Sequence, residues 1–86
     1  MPWKLQVAKR AQKELLRVPV KDRQRSLAAL QEMHDNPFSG NIVRLGNVTP
    51  AAWRRRIGNY RIFFDILPDQ LLVNVVAIKR RTTTTY

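Results

Sequence analysis

Apolar and polar side chains alternate at the start of the chain, where residues 3–7 have the sequence Trp-Lys-Leu-Gln-Val. A period of two places successive side chains on opposite faces of a strand. The segment therefore predicts a short first strand, which we expect to join the same sheet as the strands that follow later in the chain.

From residue 8 the spacing of apolar residues changes to that of a helix. Pro19 ends this first helix, and a second helix is predicted over about 20–35, where Asn36-Pro37 stops it. The apolar positions are Ala8, Ala11, Leu15 and Leu16 in the first helix and Leu27, Leu30 and Met33 in the second. Two adjacent helices with a short connection predict a helical hairpin.

The second half of the chain predicts a run of strands. Residues 53–57 and 60–66 are joined by Gly58-Asn59, a dipeptide typical of a tight hairpin turn, and another turn leads into residues 71–78. The turn-rich segment 37–49 is expected to be loop with at most one weak strand near Ile42. The fold class predicted is α+β, with the order β-α-α-β-β-β: a helical hairpin packed on one face of a small, mainly antiparallel sheet, in one domain spanning 1–86.

Side-chain parity predicts the two faces of this sheet. Tyr60, Ile62, Phe64 and Ile66 form an apolar set that should pack under the helices, which directs Arg61 to the opposite face. The cleaner apolar set of the last strand is Leu71, Val73, Val75 and Ala77, so the alternation places Arg80 opposite it. If the polar sides of the strands coincide, one surface gathers Arg54, Arg56, Arg61 and Arg80.

Charge points to the class of partner. Sixteen Lys and Arg residues oppose six Asp and Glu residues, which gives a net charge of +10. A polyanion partner is expected, and nucleic acid comes first because binding to phosphates releases condensed counterions. Charge alone leaves open an acidic protein, an anionic membrane, or a non-catalytic RNA- or DNA-binding role.

Several other site types are not supported by the residues present. The chain has no cysteine and one histidine, His34, so disulfides and a Cys or His metal site are not expected. Asp65 and Asp69 resemble strand-edge and turn residues rather than a catalytic carboxylate pair, and no Gly-rich phosphate loop or nucleophile elbow occurs. No cofactor is predicted. Without a signal pattern or a long apolar run, a soluble cytoplasmic protein is expected.

Converging arginines suit a phosphodiester that is attacked by its own 2′-hydroxyl. Negative charge then develops on the nonbridging oxygens, and guanidinium groups stabilise it through paired hydrogen bonds without a metal. Such a site also needs a proton acceptor and a proton donor. His34 lies on the second predicted helix and is better interpreted as a helix-end histidine than as a catalytic one. Holding phosphates and cutting RNA remain equally compatible with this pattern.

Three segments resemble the core pattern of the RelE and ParE toxin superfamily. They are Leu45-Gly46, the run from Trp53 to Ile66 (Trp-Arg-Arg-Arg-Ile-Gly-Asn-Tyr-Arg-Ile-Phe-Phe-Asp-Ile), and Val75 to Arg81 with Tyr86. The resemblance implies a helical hairpin on an antiparallel sheet. RelE-type members cut mRNA in the ribosomal A site, whereas ParE-type members inhibit DNA gyrase and lack the basic catalytic set. The retained arginines favour a RelE-type, ribosome-dependent endoribonuclease of a type II toxin-antitoxin system.

Roles of individual residues follow from the same resemblance. It implies that Arg61 and Arg80 stabilise the transition state, with Arg81 a close competitor of Arg80, and that Tyr86 transfers a proton. Arg54 and Arg56 complete the implied catalytic set, where they would position RNA and relay protons. The RNA-binding candidates outside this set are Arg55, Arg81, Lys79 and Arg44. Arg55 lies on the Trp53 side of its strand, so it is also expected to extend past the helices or to face an antitoxin.

The resemblance also implies the partners. They are a cognate antitoxin, the ribosome and mRNA, and operator DNA only through the antitoxin complex, with no membrane partner. The alternative functions are a ParE-like gyrase inhibitor without nuclease activity and a non-catalytic RNA-binding module.

Overall fold

The computed structural model describes residues 3–45 and 51–81. The predicted α+β class is confirmed: two helices pack on a five-stranded, mostly antiparallel sheet within these residues. The weak segment after the helices forms a strand, β2, which makes the order β-α-α-β-β-β-β. In chain order the elements are β1 (Lys4–Val7), α1 (Lys9–Leu16), α2 (Val20–Asp35), β2 (Ile42–Arg44), β3 (Trp53–Ile57), β4 (Tyr60–Leu67), a 3₁₀ turn (Pro68–Gln70) and β5 (Leu72–Arg80).

The strands are arranged β1-β5-β4-β3-β2, and only the β1–β5 pair is parallel. A parallel pair needs a crossover, and the helical hairpin lies within the chain between these two strands. Both helices cover one face of the sheet, here called the helix face, and the other face is called the open face. Neither described helix has the length and apolarity to cross a membrane. The core between helices and sheet contains Ala11, Val18, Ala29, Leu30, Met33, Ile62, Phe64, Val73, Val75 and Ile78.

The β3–β4 hairpin sets the register of the arginine-rich strands. Gly58 has φ +55°, as the first loop position of a type II′ turn requires, and Ile57 pairs with Tyr60 across the turn. Arg55 then pairs with Ile62, and Arg56 pairs with Arg61. Because paired residues lie on the same face, this register determines which arginines lie on the helix face and which lie on the open face.

A β-bulge interrupts the β4–β5 pairing. Phe63 pairs with Ala77 but Phe64 pairs with Val75, so Val76 is the extra residue on β5. An extra residue shifts the alternation by one position. Ile78 consequently packs in the core together with Val73 and Val75. The uniform alternation predicted for this strand is therefore wrong beyond Val75.

Candidate nucleic-acid interface

Three arginines project from the open face at the turn end of β3 and β4. Arg54 and Arg56 alternate with Arg55 on β3, and Arg61 alternates with the buried Ile62 on β4. Arg56 and Arg61 are directly opposite each other, which places their Cβ atoms about 5 Å apart in typical antiparallel geometry. The predicted convergence of these three side chains agrees with the register.

Arg81 is the fourth arginine of this cluster. Its backbone N–H donates a hydrogen bond of 2.6 Å to the carbonyl oxygen of Asn59, which ties the end of β5 to the β3–β4 turn. Desolvation lowers the pKa of Arg81 from its ordinary value, and the positive charges of Arg56, Arg61 and Arg54 lower it further. Arginine remains charged at neutral pH, so four positive charges share this surface. We call Arg54, Arg56, Arg61 and Arg81 the arginine face.

Arg80 is not part of the arginine face, and its predicted placement there is wrong. It pairs with Tyr60, which packs against the core from the helix face. The cause is the bulge at Val76, which exchanges the faces of every later residue of β5 relative to an uninterrupted strand. Lys79 pairs with Arg61 instead, but its Nζ lies 3.4 Å from Oε2 of Glu14 on α1.

Arg55, expected from the sequence to bind RNA, is buried beneath α2 and lies on the face opposite Arg54 and Arg56. Only 7% of the residue is exposed, one guanidinium nitrogen forms an ion pair with Glu32, and another lies 3.4 Å from the Ala29 carbonyl oxygen. Gly40 makes room for this guanidinium, because a Cβ at that position would lie 2.6 Å from the Arg55 Cζ. The expected position of Arg55 on the Trp53 side of β3 agrees with this placement, but the guanidinium ends beneath α2 instead of extending past the helices.

Arg44 lies at the outer edge of the sheet, away from the arginine face. Its guanidinium carbon lies 5.6 Å from the ring centroid of Trp53, a cation–π distance, and Phe38 contacts the same ring edge-to-face. His34 is half-buried in the last turn of α2. Gly46 and Tyr86 lie outside the described residues.

Two further residues of the open face were not among the predicted site residues. Phe63 pairs with Arg54 and is half-buried, so an aromatic ring lies among the cations. Asp65, one alternation further, accepts a hydrogen bond of 2.8 Å from the Ala52 N–H. The parity that identified Arg61 also places Phe63 on this face, and that signal could have included it.

The arginine face has an electrostatic character suited to an anionic ligand. Among residues 3–45 and 51–81, none of its four arginines forms an ion pair. Like charges directly opposite each other on a sheet are destabilising, as for Arg56 and Arg61. A phosphate backbone would relieve this repulsion and accept bidentate hydrogen bonds from the guanidinium groups.

Several solved structures that share this fold are toxins or toxin-antitoxin complexes. The archaeal RelE–RelB complex from Pyrococcus horikoshii OT3 has a TM-score of 0.83 and 18% identity, covering 98% of this chain and 100% of that chain. The isolated E. coli RelE toxin has a TM-score of 0.77 and 19% identity, covering 95% of this chain and 87% of that chain. The RelB–RelE complex from Methanococcus jannaschii has a TM-score of 0.70 and 22% identity, covering 87% of this chain and 88% of that chain. At these identities the likeness establishes the fold alone.

Sequence comparison identifies the family. A search of curated protein sequences gave no significant match. The family model of the ParE toxin of type II toxin-antitoxin systems, parDE, matches residues 5–84, which is nearly the whole chain. The RelE/ParE superfamily resemblance found in the sequence is thereby confirmed. The chain belongs to the ParE toxin family and is a toxin of a type II toxin-antitoxin system within the RelE/ParE superfamily.

Proposed function

We propose that this toxin is a ribosome-dependent endoribonuclease that cleaves mRNA and thereby inhibits translation. The observation that supports this function is the arginine face, where four cations from β3, β4 and the residue that follows β5 converge without ion-pair partners among the described residues. A rigid sheet holds these groups before RNA arrives, and preorganised donors stabilise developing charge most effectively.

The proposed reaction is transesterification within the RNA. The 2′-oxygen attacks the adjacent phosphorus and loses its proton, the bond from phosphorus to the 5′-oxygen breaks, and the leaving oxygen takes up a proton. The products are a 2′,3′-cyclic phosphate, or its hydrolysis product, and a 5′-hydroxyl end. Arg61 and Arg81 stabilise the charge on the nonbridging oxygens, while Arg54 and Arg56 hold the neighbouring phosphates and assist proton relay.

We assign the transition-state role to Arg81 and not to Arg80, the residue that the resemblance implied, because Arg81 lies with the arginine face and Arg80 pairs with Tyr60 on the helix face. Tyr86 remains the proposed proton-transfer residue. The arginine face contains no histidine, and Oδ1 of Asp65, which lies further along β4 on the open face, accepts a hydrogen bond from the Ala52 N–H. An unperturbed tyrosine has a pKa of about 10, so the ribosome is expected to supply alignment and proton transfer that the isolated protein lacks.

The proposed partners follow from this function. The family implies a cognate antitoxin, and the solved complexes of P. horikoshii and M. jannaschii pair RelE with RelB. An antitoxin with an acidic segment that covers the arginine face would neutralise it. The ribosome and mRNA are the proposed targets in the cytoplasm, and operator DNA would be bound only through the toxin-antitoxin complex.

A second candidate function is inhibition of DNA gyrase without nuclease activity. The observation that favours it is the family model itself, which describes ParE toxins and matches residues 5–84. ParE-type members lack the basic catalytic set, whereas this chain has four arginines on one face. We therefore favour the nuclease.

The test measures both activities with the same protein. Primer extension on a message translated in vitro, with and without the toxin, detects ribosome-dependent cuts, and a gyrase supercoiling assay runs in parallel. Cuts that require ribosomes, with normal supercoiling, support the proposal. Inhibited supercoiling without cuts would overturn it in favour of gyrase inhibition.

A further inference from the structure

A cavity of about 340 Å³ opens on the helix face beside the start of β4 and the end of β5. Its volume is at the lower end of the range for small-molecule sites. It lies between the last turn of α1 and the strand ends, on the side of the sheet opposite the arginine face. The residues that line it are Glu14, Arg17, Val18, Tyr60, Ile78, Lys79 and Arg80.

The cavity has an excess of positive charge despite its one carboxylate. Oε1 of Glu14 accepts a hydrogen bond of 2.7 Å from the Ile78 N–H, and Oε2 lies 3.4 Å from both Lys79 Nζ and Arg10 Nε. Glu14 and Lys79 therefore neutralise each other. Arg17 and Arg80 form no ion pair within residues 3–45 and 51–81, so an anionic group would find two cations there.

Tyr60 gives the cavity an aromatic wall. Its side chain is half-buried beside Val18 and Ile78, which are 2% and 3% exposed, so an apolar floor adjoins the two arginines. A flat aromatic surface next to cations is the arrangement that binds single-stranded nucleic acid, where bases stack on rings and cations hold the phosphates.

The cavity and the arginine face meet at the same end of the sheet. Tyr60 pairs with Arg80 on the helix face, and the next residue of β4, Arg61, belongs to the arginine face. Arg81 follows Arg80 directly and returns to the arginine face. A strand of RNA that passes around the ends of β4 and β5 would contact both surfaces.

We propose that this cavity holds a nucleotide that flanks the cleaved phosphodiester, with its base against Tyr60 and its phosphate between Arg80 and Arg17. The inference deepens the proposed function, since it takes RNA as the ligand. The cavity binds and positions RNA and takes no part in bond breaking, so its loss weakens affinity rather than the maximal cleavage rate.

The experiment measures binding of a short, fluorescently labelled single-stranded RNA to the full chain by anisotropy. All proteins contain Arg61→Ala, so that the RNA is not cut. Arg80→Gln is compared with Lys9→Gln, which removes the same charge from an exposed position outside the cavity. Tyr60→Leu is compared with Tyr60→Phe, which keeps the ring.

Arg80→Gln and Tyr60→Leu are each expected to raise the Kd about fivefold or more, and Lys9→Gln and Tyr60→Phe about twofold or less. Equal effects of Arg80→Gln and Lys9→Gln would overturn the proposal, because net charge alone would explain them. Undetectable RNA binding by the parent would also overturn it. If Tyr60→Leu does not fold, the comparison of Arg80→Gln with Lys9→Gln tests the proposal. A wild-type chain that binds RNA through the cavity but cuts no message would refute the proposed nuclease and leave the cavity as an RNA-binding site.

Discussion

The arginines of β3 lie on two faces of the sheet, and their environments on the two faces are opposite. Arg55 is buried under α2, paired with Glu32 and accommodated by Gly40. Its sequence neighbours Arg54 and Arg56 lie on the open face, where they form no ion pair with the described residues. The same residue type thus packs in the interior on one face and, in the proposed function, binds RNA on the other. Local pairing, rather than position along the chain, separates the buried, paired arginine from those proposed to bind RNA.

The largest expected effect concerns the arginine face. Arg61→Ala should reduce mRNA cleavage on ribosomes by about a hundredfold or more, because loss of a donor to developing oxyanion charge has that typical cost. The fold should be retained, since Arg61 lies off the helix face, and circular dichroism with a thermal melt provides the control. Unchanged cleavage by the folded variant would remove Arg61 from the catalytic assignment and weaken the contrast between the faces.

The ion pair between the buried Arg55 and the exposed Glu32 should affect stability and leave chemistry unchanged. Glu32→Ala is expected to lower the free energy of unfolding by about 2 kcal/mol, because it leaves the guanidinium of Arg55 buried without its charged partner. Arg55→Met should be close to neutral, since an apolar side chain of similar length needs no such partner. Urea denaturation measures both. A loss of cleavage in Arg55→Met, at full stability, would show that the helix face also contributes to catalysis.

Arg80 and Arg81 provide the sharpest comparison, because they are sequence neighbours on different faces. Arg81→Ala should lower the maximal single-turnover rate on saturated ribosomes about tenfold, a barrier change of about 1.4 kcal/mol. Arg80→Ala should leave that rate within about twofold and raise the toxin concentration needed for half-maximal rate. The reverse result would return Arg80 to the arginine face and contradict the register beyond the bulge.

The smallest expected effect concerns Glu14 and pH. Burial raises the pKa of Glu14, but the Ile78 N–H bond and the charges of Lys79 and Arg10 outweigh it, so the pKa lies below its ordinary value of 4.5. The unfolded chain therefore binds this proton more readily, and the stabilisation is present above about pH 4.5 and is lost as pH falls through the folded-state pKa. Comparing wild type with Glu14→Gln between pH 6 and 3 should show a difference under about 1 kcal/mol. A difference that grew as pH fell would contradict the sign.

Much of the fold was predictable because its elements have distinct periodicities. Helical spacing gave α2 with its observed bounds, and the alternation Tyr60, Ile62, Phe64 located the core side of β4. The face of Arg61 followed from that alternation without knowledge of any partner strand.

The missed features depend on contacts between distant residues. Residues 75–78 are Val-Val-Ala-Ile, a continuous apolar run without the alternation that would reveal a bulge. Counting along the strand therefore assigned Arg80 and Arg81 to each other's faces. The burial of Arg55 depends on Glu32, 23 positions earlier, and on Gly40. The pattern of apolar and polar residues along β3 contains no information about either of these partners.

The extra residue at Val76 shifts by one position the side chains at the end of β5 that lie on each face of the sheet. Deleting Val76 would restore strict alternation and keep Ile78 in the core, whereas pairing Val76 with Phe63 in a strand without the bulge would turn Ile78 out of the core and exchange the faces of Arg80 and Arg81. Because residues 79–81 are Lys-Arg-Arg, the strand presents a cation on each face with or without this shift. Position-by-position alignment of relatives across this strand would therefore equate arginines that lie on opposite sides of the sheet whenever one relative lacks the bulge.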